Sequence, residues 1–200
     1  MFDALKASAL DCTGCRLATC GRTQVVFGGG PVPADVMAVG EAPGFGEDES
    51  GVAFCADAGE VLDTHLPVAG LTRAEVYVTN TAKCHPPNNR EPYLDEAKAC
   101  VERWLVQEVA LVQPKAILAL GTVASQALTG LKISGARRQV HTFMGIPVVA
   151  TRHPASTLYH GGELAKRQFR NDLVALKRLL SGAEAPYWKG EEAKRVKGRG

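Results

Sequence analysis

Four short stretches of this 200-residue chain carry side chains able to do chemistry. Cys12-Thr13-Gly14-Cys15 is a C-x2-C pair, whose two thiolates lie one turn apart and can converge on a single metal ion or cluster. Gly40-Glu41-Ala42-Pro43-Gly44 sets a carboxylate in a turn forced by two glycines and a proline. Such a turn lets the backbone approach a ligand closely, and its successive amides can cradle an anion. Asn80 ends the run Glu75-Val76-Tyr77-Val78-Thr79-Asn80, and His153 follows the run Pro147-Val148-Val149-Ala150-Thr151. Taken singly, each has an ordinary structural explanation: a turn, a strand-terminal amide, a loop histidine.

The elements that must position these residues are legible from periodicity. Val36–Val39, Glu75–Asn80, Lys115–Gly121 and Pro147–Thr151 are short, β-branched apolar runs that predict four strands. Gln24–Phe27 predicts a further short strand. Helices are expected over Phe2–Leu10, from about Ala56 to Leu66, over Asp95–Leu111, over Thr122–Leu128 and over Glu163–Leu180. Strands alternating with helices predict a single α/β domain of three α/β/α layers around a mostly parallel four-stranded sheet. Glu41, Asn80 and His153 then fall just past the C-terminal ends of three different strands, the rim where such sheets bind ligands. The domain is expected over residues 1–180, and residues 181–200 read as a basic, disordered tail.

Composition narrows the class. A hydrophobic fraction of 46% with 22% charged residues belongs to an ordinary globular protein, and a net charge of +2 does not by itself argue for nucleic acid. No apolar run approaches the ~20 residues that span a membrane. The N-terminus lacks the basic segment and apolar core of a secretory signal, so a cytoplasmic chain is expected. In a reducing compartment, six cysteines predict ligands or buried thiols rather than disulfides.

Together, Gly40-Glu41-Ala42-Pro43-Gly44, Val76–Asn80, Lys83-Cys84-His85-Pro86-Pro87-Asn88-Asn89-Arg90 and His153-Pro154-Ala155 resemble the family-four uracil-DNA glycosylases, the iron–sulfur members of their superfamily. The resemblance runs from Cys12 to Leu180. It implies a monomeric, monofunctional enzyme that flips uracil out of single- or double-stranded DNA and hydrolyses its N-glycosidic bond. It also implies a 4Fe–4S cluster held by Cys12, Cys15, Cys84 and Cys100, where four such cysteines would otherwise suggest zinc. His153 corresponds to the histidine that donates to the departing uracil, Asn80 to the amide that reads the uracil edge, and Phe54 to the aromatic that stacks on the flipped base. Glu41 and Glu47 are the acidic candidates for placing water, and the sequence does not choose between them. Gly40, Ala42 and Gly44 line the expected pocket, with Asn89 ordering it.

Lys83, Arg90, Lys132, Arg137, Arg138 and Arg152 are loop cations expected to meet phosphates. Ser156 and Leu158 correspond to the loop that wedges into the minor groove, Leu158 as its plug. Two departures from the family pattern bear on the pocket. Ala53-Phe54-Cys55-Ala56-Asp57 lacks the usual proline and one close-packing glycine, and His85 stands where arginine is usual. They leave open two alternatives, a glycosylase for hypoxanthine or xanthine and a catalytically silent DNA-binding relative.

Overall fold

The computed structural model describes residues 1–159 and 162–183. Residues 184–200, and with them nearly all of the expected tail, lie outside the described residues, as does the side chain of Leu158. The five strands are β1 (Val36–Gly40), β2 (Val76–Asn80), β3 (Ala116–Leu120), β4 (Val140–Phe143) and β5 (Ile146–Thr151). They form one sheet in the order β2-β1-β3-β5-β4, parallel except for β4, which pairs antiparallel with β5. The sheet thus has one strand more than the four expected. β4 carries no apolar run because it is an edge strand, mostly half-buried, with His141 and Thr142 between Val140 and Phe143. Gln24–Phe27 is not a strand. The Val26 N–H donates to the Lys83 carbonyl at 2.8 Å, and Gly29, two residues beyond Phe27, makes only an isolated bridge to Val78.

The helices are α1 (Phe2–Ala9), α2 (Phe45–Ser50), α3 (Asp57–His65), α4 (Leu94–Cys100), α5 (Val106–Val112), α6 (Gly121–Thr129), α7 (Ile133–Ala136), α8 (Ser156–Tyr159) and α9 (Gly162–Leu180). A π-helical turn over Val101–Leu105 joins α4 to α5. Gln113, in the left-handed conformation at φ 52°, and Pro114 end that long helical run.

Strand residues alternate between the faces of the sheet, so each strand feeds two cores. Val36, Ala38, Val76, Val78 and Leu118 pack beneath Phe169, Leu173 and Leu176 of α9 and Leu62 of α3. Met37, Val39, Ile117 and Ala119 pack against Leu105, Val109, Val112 and Leu128 on the other face. Burial on both sides explains why β1 and β3 are continuous apolar runs and why β2 is one up to Val78, with Thr79 and Asn80 buried beyond it. A third cluster, of Leu5, Leu17, Phe27, Ala82 and Trp104 with Cys84 and Cys100, fastens the N-terminal segment to the end of the sheet.

Candidate active site

The ends of four neighbouring strands gather the site. β1 and β2 pair in register, with Gly40 opposite Asn80. A Cβ on Gly40 would overlap Asn80 Oδ1 and come within 2.6 Å of the Phe54 ring, so a glycine here lets both side chains close over the strand end. The Phe54 ring centroid lies 6.3 Å from that of His153. Gly121, at φ 91°, begins α6 directly against His153 Cβ, where only glycine fits both the backbone and the space. The structure therefore brings Gly40, Phe54, Asn80 and His153 together, as the sequence suggested.

Each of these side chains is held. Asn80 is 2% exposed, and its Nδ2 is the one buried side-chain nitrogen or oxygen among the described residues with no hydrogen-bond partner. A buried donor of this kind is costly unless a ligand or a water completes it. His153 is buried enough that its pKa falls to about 4, so the ring is neutral near pH 7. The Ala155 N–H donates to its Nδ1 at 3.3 Å, which places the ring proton on Nε2 as an outward donor. Ser156 fixes the same turn, its hydroxyl donating to the His153 carbonyl at 2.7 Å.

Phe54 sits at φ 56°, a conformation a phenylalanine rarely adopts. Its N–H donates to Glu47 Oε1, and Arg73 grips the Ala53 and Phe54 carbonyls at 3.1 and 3.3 Å. A Cβ on Gly59 would overlap the Phe54 carbonyl, so that glycine is also required.

The two acidic candidates separate. Glu47 is tied to the backbone: besides the Phe54 N–H, it accepts the Gly44 N–H at 2.7 Å and closes the N-terminus of α2. Both of its oxygens are used to shape the loop, which corrects its assignment as a catalytic group. Glu41 is different. Burial first, and the Glu91 charge second, raise its pKa to about 7. Its backbone carbonyl is anchored by the Thr81 hydroxyl at 2.5 Å and the Ala82 N–H at 3.0 Å, beside Asn80.

Other expected site residues lie elsewhere. Asn89 is exposed and accepts from His85 Nε2 at 2.8 Å, so it orders the outer loop rather than the pocket. Ala42 packs against the cysteine-containing cluster. Among the cations, Lys83 is 1% exposed and paired with Glu108, and Arg137 is buried against Asp172 at 2.8 Å. Arg90 forms a fork on Glu96 at 2.8 Å and stacks 4.0 Å above the Tyr93 ring. The charges of all three serve internal carboxylates, which corrects their assignment to phosphates. Arg152 donates to Gln168, and Arg138 is exposed.

Beside this site, Cys12, Cys15, Cys84 and Cys100 line one pocket, all four as free thiols. Donors converge on their sulfurs: Arg22 on Cys84 at 2.9 Å, Trp104 Nε1 on Cys12 at 3.2 Å and the Lys83 N–H on Cys100 at 3.3 Å. Burial pushes the Cys84 thiol up and the Cys100 thiol up to about 12, so ligation must displace their protons. Among the described residues, no three His, Cys, Asp or Glu side chains stand close enough to hold one metal ion. Four thiols spread around a pocket, with N–H donors at the sulfurs, fit a larger inorganic body better than a single zinc. Arg22, Arg73 and Gly121 carry no sequence signal of these roles, because each acts on a partner distant in the chain.

An α/β sheet with a neutral histidine, an unpartnered amide and a neighbouring phenylalanine at its C-terminal rim defines a class. A family model described as the uracil DNA glycosylase superfamily matches residues 27–177. The chain is 35% identical over 168 residues to the type-4 uracil-DNA glycosylase of Archaeoglobus fulgidus, covering 79% of this chain and 83% of that protein. It is 34% identical over 173 residues to the type-4 enzyme of Thermotoga maritima, covering 84% and 89%. With the type-4 enzyme of Pyrobaculum aerophilum it shares 43% identity over 110 residues, 55% of this chain and 56% of that one. The chain belongs to the uracil-DNA glycosylase superfamily, in its type-4 family.

Proposed function

We propose that this protein removes uracil from DNA by hydrolysing the N-glycosidic bond, leaving an abasic site and an uncut strand. The observation that carries this reading is the buried Asn80 Nδ2 without a partner, beside the neutral donor His153. A fixed amide donates to uracil O4 and accepts from N3–H, whereas cytosine presents the opposite pattern at both atoms. Phe54 supplies a face for the flipped ring. As the bond breaks, negative charge gathers on the uracil O2 side, and the Nε2–H of the neutral His153 ring donates a hydrogen bond to it. Glu41, ionised in part at neutral pH, holds the attacking water against the sugar. Lys83, the lysine nearest Asn80 in sequence, is engaged with Glu108, and no Schiff-base step is invoked.

Arg138, Arg152, Lys132 and Ser156 are proposed to meet the DNA backbone, with Leu158 as the plug for the vacated base position. The protein is proposed to act as a cytoplasmic monomer through its 1–180 domain. Among the described residues no helix is long and apolar enough to cross a membrane.

Cys12, Cys15, Cys84 and Cys100 are proposed to hold a 4Fe–4S cluster, which, when bound, pins the N-terminal segment to the Pro-rich loop. Protein purified without oxidation is expected to be brown, absorbing near ~400 nm with about four irons per chain. One zinc and no iron would overturn the cluster assignment.

A panel of oligonucleotides, each with a single uracil, hypoxanthine or xanthine, tests the activity. Uracil is expected to be excised and Asn80→Asp to lose that activity, because a carboxylate repels O4. Excision of purine lesions with uracil left intact would overturn the reading.

A further inference from the structure

Lys83 lies far from where a lysine between two loop residues belongs. Its side chain is 1% exposed. Its ammonium has three N–H groups and three acceptors: the Thr79 hydroxyl at 2.6 Å, the Asn80 carbonyl at 2.7 Å and the Glu108 carboxylate. Glu108 is fully buried and also accepts from the Tyr77 hydroxyl at 2.7 Å and the Gly28 N–H at 3.1 Å. The main chain of Lys83 meanwhile faces the cysteines, its N–H donating to Cys100 Sγ. One residue thus touches the peptide of Asn80 with its side chain and the cysteine pocket with its backbone.

Fold stability does not account for this arrangement. Taking two charges out of water is costly, and a well-packed apolar pair is often at least as stable in their place. An apolar pair cannot, however, give a charge-assisted hydrogen bond to the Asn80 carbonyl. That bond fixes the rotation of the peptide carrying the one unpartnered buried amide among the described residues. A base-reading amide gains from such fixation because misplacement by about 1 Å can cost on the order of 10²-fold in rate.

We propose that Lys83, held by Glu108, is a positioning residue for base recognition, acting on the base through the Asn80 peptide. The inference rests on the uracil reading given above.

The test is a double-mutant cycle on uracil excision under single-turnover conditions. Lys83→Met alone leaves Glu108 charged and unpaired in the core, so Lys83→Met with Glu108→Gln, which removes both charges, carries the experiment. The double variant is expected to fold, melt near the parent and bind DNA as the parent does, yet to excise uracil roughly 10²-fold more slowly. Asn80→Ala should then cost far less in the double-variant background than in the parent, because both changes spoil the same contact. A folded double variant with parental rate, or losses that simply multiply, would overturn the role of Lys83. Should the double variant be unstable, Glu108→Gln alone loosens the ammonium without removing it. The same cycle then applies at smaller amplitude, and multiplicative losses again refute the proposal. A parent inactive on uracil would instead overturn the function proposed above. The other two negative results, obtained with an active parent, leave that function standing.

Discussion

Raising the pH from about 6 to about 8 should speed uracil release roughly tenfold. The perturbation acts on Glu41, whose pKa burial and the Glu91 charge raise to about 7. With that midpoint the carboxylate is ionised in about one molecule in ten near pH 6 and in about nine in ten near pH 8. The other pocket groups do not confuse the measurement. His153, with a pKa of about 4, is neutral throughout, and Asn80 does not titrate. Single-turnover excision with enzyme in excess isolates the chemical step from DNA binding. Glu41→Gln should flatten the profile at the low rate. Glu91→Gln should move the midpoint down, since the Glu91 charge helps to raise it. Stability moves in the opposite direction. Between the ordinary glutamate value of 4.5 and about 7, the folded state keeps a proton that the unfolded state has released. Stability therefore falls as pH rises through that window. Glu41→Gln should be more stable than the parent near pH 8 while being slower. A flat parental profile from about pH 6 to 8, or a Glu41→Gln variant with the parental profile, would refute the assignment of Glu41 to catalysis.

Three further outcomes follow from the geometry. His153→Ala should lower the single-turnover rate on the order of 10²–10³-fold while changing affinity for uracil-containing DNA by less than about tenfold; equal losses in rate and binding would make the residue a loop anchor. Gly40→Ala should abolish excision, because its Cβ overlaps Asn80 Oδ1 and crowds the Phe54 ring, and an active, folded variant would show that the two side chains are free to move apart. Arg137→Ala should cost about 3–5 kcal/mol of unfolding free energy by stranding Asp172, and should leave the salt dependence of DNA binding unchanged; a shallower salt slope in equilibrium binding would return Arg137 to the DNA interface.

Much of this fold is legible in the sequence. The strands β1, β2, β3 and β5 are apolar runs bounded by glycine, proline or polar residues, and their alternation with helices dictates a parallel sheet. From there follows the expectation that Glu41, Asn80 and His153 fall on one rim. β4 was not legible, since an edge strand needs no apolar face on its open side. Side-chain destinations were the larger failure. A lysine or arginine in a loop suggests solvent, yet the partners that bury Lys83 and Arg137 lie 25 and 35 residues away, on helices. Local sequence holds no trace of such pairings. Glu47 misled for the opposite reason: it stands beside the pocket but turns both oxygens to the backbone, and only the positive φ of Phe54 reveals what it is holding.

The two inner strands of the site, β1 and β3, lead into glycine, and the two outer ones, β2 and β5, lead into the functional side chains. Asn80 and Phe54 close over Gly40 and His153 stands against Gly121, so the two inner strand ends are already filled by their neighbours and nothing remains there for mutation to trim. Any substitution at either position can only shrink the space. A descendant or engineered form accepting a bulkier base would have to gain room at the Phe54 wall, which is clamped by Glu47, Arg73 and Gly59 and cannot recede without the loop rebuilding. Drift at these two glycines thus runs toward narrower selectivity or silence, and a wider substrate range demands coordinated change in the segment from Glu47 to Gly59.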